Sequence, residues 1–151
     1  DALDWEFNTD PAFIKNRFMK PVPVCPEEMT DAQGYNEKWI CDKSDAFSAK
    51  ELTVLPGATA VVKDGGAYGM IVLQGHGVMG VWKAESPTLI RFGQLTCDEF
   101  FVSEQAALQG VTITNHSQTE PLVMLKHFGP GNPELKRWRA LLYTNHLEEV
   151  I

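Results

Sequence analysis

A regular succession of short apolar runs and turn residues between Leu52 and Phe128 is the feature that most constrains this chain. The runs are rich in β-branched and aromatic residues, which suit a pleated, half-buried surface. The breaks between them contain Gly, Pro, Asn and Asp, which favour turns for steric reasons. Short runs of this kind without intervening helices are typical of an antiparallel barrel or sandwich. We therefore expect an all-β fold.

The centre of this region contains two strand-like runs, 68–74 and 78–82, that meet at Gly75-His76-Gly77. Glycines there permit the positive φ of a tight hairpin. A single helical turn is expected over Ser103–Gln109. The full set of predicted strands is Trp39–Cys41, Phe47–Leu55, Ala58–Lys63, Tyr68–Gln74, Val78–Trp82, Thr88–Phe92, Glu99–Val102, Val111–Asn115 and Leu122–Phe128.

The two ends of the chain show different patterns from the strand region. Asp10 and Pro11 suit the start of a short helix, and the prolines that follow predict an extended arm. Asn132 and Pro133 mark the start of a C-terminal helix with apolar side chains at helical spacing. We therefore predict one structural domain made of an N-terminal arm that packs on the barrel (1–38), the barrel (39–130) and a C-terminal helix (131–151).

Charge and hydropathy exclude two classes of partner. The formal net charge is −7 and the 13 Lys and Arg residues are scattered, whereas nucleic-acid-binding proteins concentrate basic residues on one face. No apolar run approaches the roughly 20 residues of a membrane span. We expect a soluble protein that binds neither nucleic acid nor membrane.

The cysteines and the first residue bear on the protein's context. Cys25, Cys41 and Cys97 lack C-x-x-C spacing, which argues against a disulfide framework or a zinc knuckle and favours the reducing cytoplasm. The chain begins with Asp and shows no secretory signal pattern, so we expect a removed leader or a piece of a longer protein. The arm residues Trp5 and Phe7 are predicted to anchor a homodimer or the missing half of a longer protein.

Four segments resemble the conserved motifs of the cupin superfamily. In chain order they are Pro56-Gly57, Ile71-Val-Leu-Gln-Gly75, Asp98-Glu-Phe-Phe-Val102 and Val111-x-x-x-Asn115. The resemblance covers residues 52–128 and implies a double-stranded β-helix, the antiparallel jelly roll of cupins. Together with the Trp5-Glu-Phe-Asn-Thr-Asp-Pro11 arm and the trailing helix, the pattern is similar to mannose-6-phosphate isomerase-like proteins.

The cupin resemblance also implies ligand positions for a divalent metal, and this sequence departs from them. Counting back from Gly75 puts the histidine pair within Val61–Asp64 and the glutamate at or beside Tyr68. Counting back from Asn115 puts the last histidine at Val111. Among these positions Asp64 offers the one carboxylate, whereas a transition metal requires imidazole or several oxygen donors. We predict no metal and no other cofactor.

Polar residues that interrupt the apolar strands are the candidates for a ligand site in the barrel interior. A buried His or Lys without a partner costs on the order of 1–3 kcal/mol, so such groups persist where they pair or bind a ligand. The simpler alternatives are a hydrogen-bonded core histidine at 127 and, at the lysines and the arginine, charges that protect edge strands from aggregation. The predicted interior residues are Lys63, Tyr68, Arg91, Glu99 and His127.

These observations leave three functions open. The first is a metal-free cupin module, part of or related to a mannose-6-phosphate isomerase-like protein, which binds a carbohydrate, sugar phosphate or organic acid without catalysis of its own. The second is a sugar or sugar-phosphate isomerase or epimerase that uses Glu99, Tyr68, Lys126 or His127 as general acid and base. The third is a sensor of a small ligand.

Overall fold

The computed structural model describes residues 9–13, 20–24 and 30–148 of the chain. The predicted anchors Trp5 and Phe7, the thiol of Cys25 and most of the predicted N-terminal helix lie outside these ranges. At the start of that helix, the backbone N–H of Ala12 donates to the carboxylate of Asp10 at 2.9 Å, as expected of a capping side chain.

Strands dominate the described residues, and one long helix ends them. The strands pair antiparallel in the order β1-β2-β3-β9-β5-β8-β4, and β6 and β7 both pair with β5. The predicted fold class, an all-β antiparallel barrel with a C-terminal helix, is confirmed, with the sheet curled as a half-barrel. Most of the predicted N-terminal arm lies outside the described residues. The strands are β1 (Val22–Pro23), β2 (Tyr35–Cys41), β3 (Ser48–Val54), β4 (Thr59–Val62), β5 (Tyr68–Met79), β6 (Trp82–Ser86), β7 (Glu99–Val102), β8 (Val111–Asn115) and β9 (Leu122–Phe128), and the helices are α1 (Thr30–Gln33), α2 (Glu104–Gln109) and α3 (Pro133–Glu148).

The predicted hairpin at 75–77 is wrong, because β5 runs through this segment as one strand of 12 residues. Pairing continues there, and Gly77 lies opposite Asn115 on β8. A Cβ atom on Gly77 would lie 2.0 Å from the carbonyl oxygen of Thr114. Glycine at this position therefore permits the close approach of a neighbouring strand and does not form a turn. The chain reverses instead after Met79, at Gly80, which has a φ of 60°.

Two further boundaries differ from the sequence prediction. The predicted strand Thr88–Phe92 lies in the loop between β6 and β7, where the N–H of Gln94 donates to the carbonyl of Arg91 in a tight turn. Strand β2 begins at Tyr35, so the sheet crosses the arm–barrel boundary expected between residues 38 and 39. Strand β1 extends the sheet further into the expected arm, because Val22 pairs with Trp39.

The core lies between the inward faces of the curled sheet and is closed at one end by α3. Asn132 caps this helix as predicted, because its side-chain oxygen accepts from the N–H of Glu134 at 3.0 Å. The ring of Trp138 on α3 packs 5.9 Å from the ring of Trp39 on β2. The α3 helix therefore packs against β2 through this ring contact. Among the described helices, none combines the length and the apolar character needed to cross a bilayer.

Candidate functional site

A cluster of five charged residues occupies the barrel interior. Two lysines, from β3 and β9, meet three carboxylates, from β2, from the segment after β4 and from the first turn of α3. Both lysine side chains have no exposed surface. With every group ionised, three negative and two positive charges leave the cluster at a formal −1. Its members, called the charged cluster below, are Glu37, Lys50, Asp64, Lys126 and Glu134.

Asp64 is the central acceptor of the charged cluster. Lys50 and Lys126 lie directly opposite each other on the paired strands β3 and β9, where two like charges repel. The Oδ1 atom of Asp64 accepts from both ammonium groups, at 3.0 Å from each, and its Oδ2 atom accepts from Lys126 at 2.8 Å. One fully buried carboxylate thus bridges the two lysines and offsets their repulsion.

The other two carboxylates complete the shell around the lysines. Glu37 on β2 contacts the ammonium of Lys126 and lies 3.5 Å from that of Lys50. Glu134 accepts from Lys50 at 2.5 Å, and its second oxygen accepts from the N–H of Gly65 at 3.4 Å. The side chain of Glu134 is 22% exposed. The cluster therefore reaches solvent at Glu134, beside the start of α3.

The carboxylates keep both lysines protonated despite their burial. Burial alone lowers the pKa of Lys126, but the charges of Glu37 and Asp64 outweigh this effect, so the pKa lies above its ordinary value. The pKa of Lys50 is raised in the same way, since burial is opposed above all by Glu37 and then by Asp64 and Glu134. Neither ammonium group is therefore available as a base at neutral pH.

Aromatic rings surround the charged cluster on its apolar side. The ammonium of Lys50 lies 4.8 Å from the ring centre of Trp39, and that of Lys126 lies 5.3 Å from the ring centre of Tyr68. These distances allow cation–π attraction in a desolvated site. Burial, followed by the nearby charges of Asp64 and Glu37, raises the pKa of the Tyr68 phenol well above its ordinary range. Tyr68 therefore stays neutral beside the cluster.

Of the five residues predicted to line the interior, the structure places one inside. Tyr68 is buried, with 1% of its surface exposed. Lys63, Arg91, Glu99 and His127 are all exposed, so their predicted interior position is wrong. Arg91 lies in the loop after β6, and the other three lie on outward positions of their strands or just beyond a strand end. A role of these four residues in binding a ligand at the surface stays a prediction.

The error at His127 has a simple physical reason. Alternation correctly separates His127 from Lys126 on β9, but it does not say which face is buried. The buried face carries Leu122, Met124, Lys126 and Phe128, and the imidazole of His127 lies outside over Gly69. The prediction that His127 lies inside is therefore wrong, because the buried face of β9 is the one that carries Lys126.

Three members of the charged cluster, Lys50, Glu37 and Glu134, were not predicted as site residues, because their partners are distant in sequence. Lys50 alternates with Leu52 and Val54 on β3, and the same period-two signal could have placed it inside. Glu37 lies on β2, and the predicted strand began only at Trp39. Glu134 lies in the first turn of α3, and no sequence signal connects it with Lys50.

The residues present do not fit the divalent metal that the cupin resemblance implies. The carboxylate oxygens of Glu37, Asp64 and Glu134 lie within 4.8 Å of one another, which is close enough to share a cation. However, all three already contact ammonium groups, and Asp64 contacts two of them. A divalent ion added there would meet two positive charges at hydrogen-bonding distance, in a site with no imidazole among its neighbours in the described chain.

Two cavities lie at the mouth of the barrel, on either side of the start of α3. The larger has a volume of about 230 Å³ and includes Ser44, Ser48, Lys136 and Arg139 in its lining. The smaller has a volume of about 210 Å³ and lies between the 65–67 segment and Gly129–Pro133. Both are small for a ligand pocket. The larger one combines two cationic side chains and two hydroxyl groups with the carboxylate of Asp45.

Comparisons with known sequences return no relative: no protein-family model and no curated protein matches this chain. Solved structures with a similar arrangement include the complex of SigE with the anti-sigma ChrR from Rhodobacter sphaeroides, at 12% identity and a TM-score of 0.46, covering 63% of this chain and 44% of that one. An RmlC-like cupin protein from Ralstonia eutropha JMP134 has 11% identity and a TM-score of 0.48, with 74% and 63% covered.

A cupin 2 domain-containing protein from Halorhodospira halophila has 18% identity and a TM-score of 0.46, covering 78% of this chain and 81% of that one. The chain spans less than two thirds of the length of the first two structures. At TM-scores below 0.5, these similarities assign no family, ligand or activity to the chain.

Proposed function

We propose that this chain is a metal-free, cupin-type module that acts by binding and not by chemistry in its barrel. The single observation that carries this proposal is the charged cluster. The two ammonium groups contact the carboxylates that a metal would need, and Asp64 accepts hydrogen bonds from both of them. The cupin-like motifs at Ile71–Gly75 and Asp98–Val102 support the fold assignment.

The raised pKa values of the buried lysines and of Tyr68 disfavour proton transfer by these groups in the barrel. A general acid or base works best when its pKa lies near the working pH. The pKa values of Lys50, Lys126 and Tyr68 are all raised from values that are already alkaline. An isomerase or epimerase could therefore not use Lys50, Lys126 or Tyr68 as its proton acceptor at neutral pH.

A small anionic ligand, such as a sugar phosphate or an organic acid, is the second part of the proposal. The supporting observation is the larger cavity, where Lys136 and Arg139 provide positive charge and Ser44 provides a hydroxyl group. Arg139 already donates to the carbonyl of Asp42 and to the carboxylate of Asp45. Lys136, which is exposed at the rim, is therefore the cation best able to meet a phosphate or carboxylate.

The free thiols of Cys41 and Cys97 support the cytoplasmic location proposed for such a module.

Metal titration with a paired variant tests the first part. The purified protein should bind no Mn²⁺, Zn²⁺ or Ni²⁺ in calorimetry, and its melting temperature should not respond to these ions. The variant Lys50→Met/Lys126→Met removes both ammonium groups and leaves three carboxylates free to share a cation. Its melting temperature should therefore rise on addition of Mn²⁺. Stoichiometric metal in the unaltered protein, lost on changing Asp64 to Asn, would refute the proposal.

Calorimetry with mannose 6-phosphate, fructose 6-phosphate, the free sugars and citrate tests the second part. A phosphate-bearing or carboxylate-bearing ligand should release heat, and Lys136→Met should abolish the signal. Lys83→Met, which removes another exposed lysine that does not line the cavity, is the matched control. Absence of heat from every ligand would leave the metal-free module without a small-molecule role at this cavity.

A further inference from the structure

The larger cavity, where the proposed anion site lies, also has an apolar part. Phe47, whose surface is 52% exposed, lines it, and so does Leu135 from the first turn of α3. Gly129 and Gly131 contribute lining without side chains. Small-molecule sites typically combine apolar and aromatic lining with a few polar groups that orient the ligand. The cavity therefore suits a molecule with an apolar body and a charged end.

The charged side chains that line this cavity leave a formal charge of +1. Lys136 and Arg139 are positive and Asp45 is negative. Arg139 and Asp45 form an ion pair at 2.8 Å, whereas Lys136 forms no ion pair with any residue that the structure describes. The ammonium of Lys136 lies 3.9 Å from the position of a Cβ atom on Gly131. One carboxylate balances this charge, whereas a phosphate monoester carries about −1.5 to −2 at neutral pH.

Ser48 supplies a buried hydroxyl group in the same lining. Its surface is 1% exposed. Its oxygen accepts from the side-chain amide of Asn132 at 3.2 Å, and among the described residues the hydroxyl proton has no acceptor. Buried hydroxyl groups usually donate as well as accept, so this proton is available to an oxygen of a ligand. An ammonium group and a hydroxyl donor in one cavity suit the two oxygens of a carboxylate.

The volume of the cavity limits the size of the apolar body. At about 230 Å³ it exceeds the roughly 150 Å³ that is enough for one benzene molecule, and it is smaller than the roughly 300–1,000 Å³ of a pocket for a drug-sized ligand. One six-membered ring or one short branched chain with a carboxylate therefore fits. A hexose phosphate is much larger, and each of its hydroxyl groups that met Phe47 or Leu135 without a partner would lower affinity by about tenfold.

We propose that this cavity binds a small apolar monocarboxylate, such as an aromatic or branched-chain acid, in preference to a sugar phosphate. The inference rests on the proposed function, because it names the class of organic acid that occupies the same anion site. The carboxylate contacts Lys136 and Ser48, and the ring or chain packs on Phe47 and Leu135.

Calorimetric titration of the full chain with benzoate, phenylacetate and isovalerate is the test, with mannose 6-phosphate as the polar anion. Each of the three carboxylates should bind at least about tenfold more tightly than mannose 6-phosphate. Benzamide, which has the shape of benzoate without its charge, should bind at least about tenfold more weakly than benzoate. Lys136→Met should remove the difference between benzoate and benzamide.

Variants of Phe47 test the apolar contact. Phe47→Ser should weaken benzoate binding by about tenfold or more, whereas Phe47→Leu, which keeps an apolar side chain, should retain most of the affinity. The matched control is Phe101→Ser, since Phe101 is an exposed phenylalanine on β7 that does not line the cavity. Because Phe47 and Phe101 are both exposed, urea unfolding should show that each variant is folded.

The possible results separate this inference from the proposed function. Mannose 6-phosphate binding as tightly as benzoate, with both lost in Lys136→Met, would overturn the inference and leave the anion site in place. Benzoate binding that Phe47→Ser does not change would also overturn it, since the ligand would then lie elsewhere. Absence of binding by every anion would overturn the inference and the anion site together, whereas the metal-free module is tested separately by the metal titration.

Discussion

Removal of one lysine from the charged cluster should be far more damaging than removal of a lysine from the surface. In Lys126→Met the methionine keeps most of the apolar stem and fills similar space, so loss of packing is small. What is lost is the ammonium that contacts Asp64 at 2.8 and 3.0 Å and also contacts Glu37. The formal charge of the cluster changes from −1 to −2, with Lys50 as its remaining cation.

The expected cost follows from the burial of these groups. The side chains of Lys126 and Asp64 have no exposed surface, so water cannot replace the lost contacts. Breaking a buried ion pair by removing one partner typically costs about 3–5 kcal/mol. For a chain of this length, that loss lowers the melting temperature by roughly 6–20 °C.

Urea unfolding at neutral pH, with a common m-value for all variants, measures this effect. The control is Lys83→Met, which breaks a 2.7 Å pair with Glu85 on a side chain that is 63% exposed. That pair is screened by water, and its loss should change stability little. The double variant Lys126→Met/Asp64→Asn removes one charge of each sign and should recover part of the loss.

A loss below about 1 kcal/mol in Lys126→Met, similar to that of an exposed pair, would contradict this reasoning. It would mean that the carboxylates left behind are solvated or protonated at little cost. A pH series distinguishes these cases, since carboxylates short of a cation take up protons as the pH falls. The gap between Lys126→Met and the unaltered protein should therefore narrow on acidification.

Two further predictions concern pH and the backbone. The free energy of unfolding should fall above about pH 10. The carboxylates raise the pKa of Lys50 and Lys126 against the effect of burial, and burial raises the pKa of Tyr68, so the folded chain retains protons that the unfolded chain releases. A urea midpoint that does not change through this pH range would contradict the prediction. Gly77→Ala should lower the free energy of unfolding by at least about 1–3 kcal/mol, since its Cβ would lie 2.0 Å from a backbone oxygen. Gly129→Ala, whose Cβ meets no atom within 4 Å, should not lower it. Thermal melts of the two variants should therefore differ clearly.

Much of the fold was predictable because local chemistry and tertiary structure agree. The C-terminal helix begins where Asn132 and Pro133 predict, and Ser103 accepts from Ala106 at the start of α2 as a capping residue should. The hairpin at 75–77 was wrong because glycine has two uses. Gly75 has the positive φ expected of it, at 91°, but Gly77 admits a neighbouring strand.

The candidate site was less predictable, because it depends on which face of each strand is buried. Period-two alternation determines which residues share a face, and it correctly grouped Lys126 with Leu122 and Met124. The choice between the faces depends on long-range partners. Lys126 is stable inside because its ammonium group forms ion pairs with the carboxylates of Asp64 and Glu37. These two residues are far from it in the sequence.

The same reasoning explains how this barrel interior holds two buried cations that bind nothing but the protein itself. A bound metal ion keeps open positions where a substrate or water can bind, and it acts there as a Lewis acid. An ammonium group has three donors and no open position, and those of Lys50 and Lys126 are directed to carboxylates. Their positive charge is therefore used entirely within the fold. Among the described residues, a cation that can meet another molecule lies outside the core, at Lys136 in the cavity beside α3.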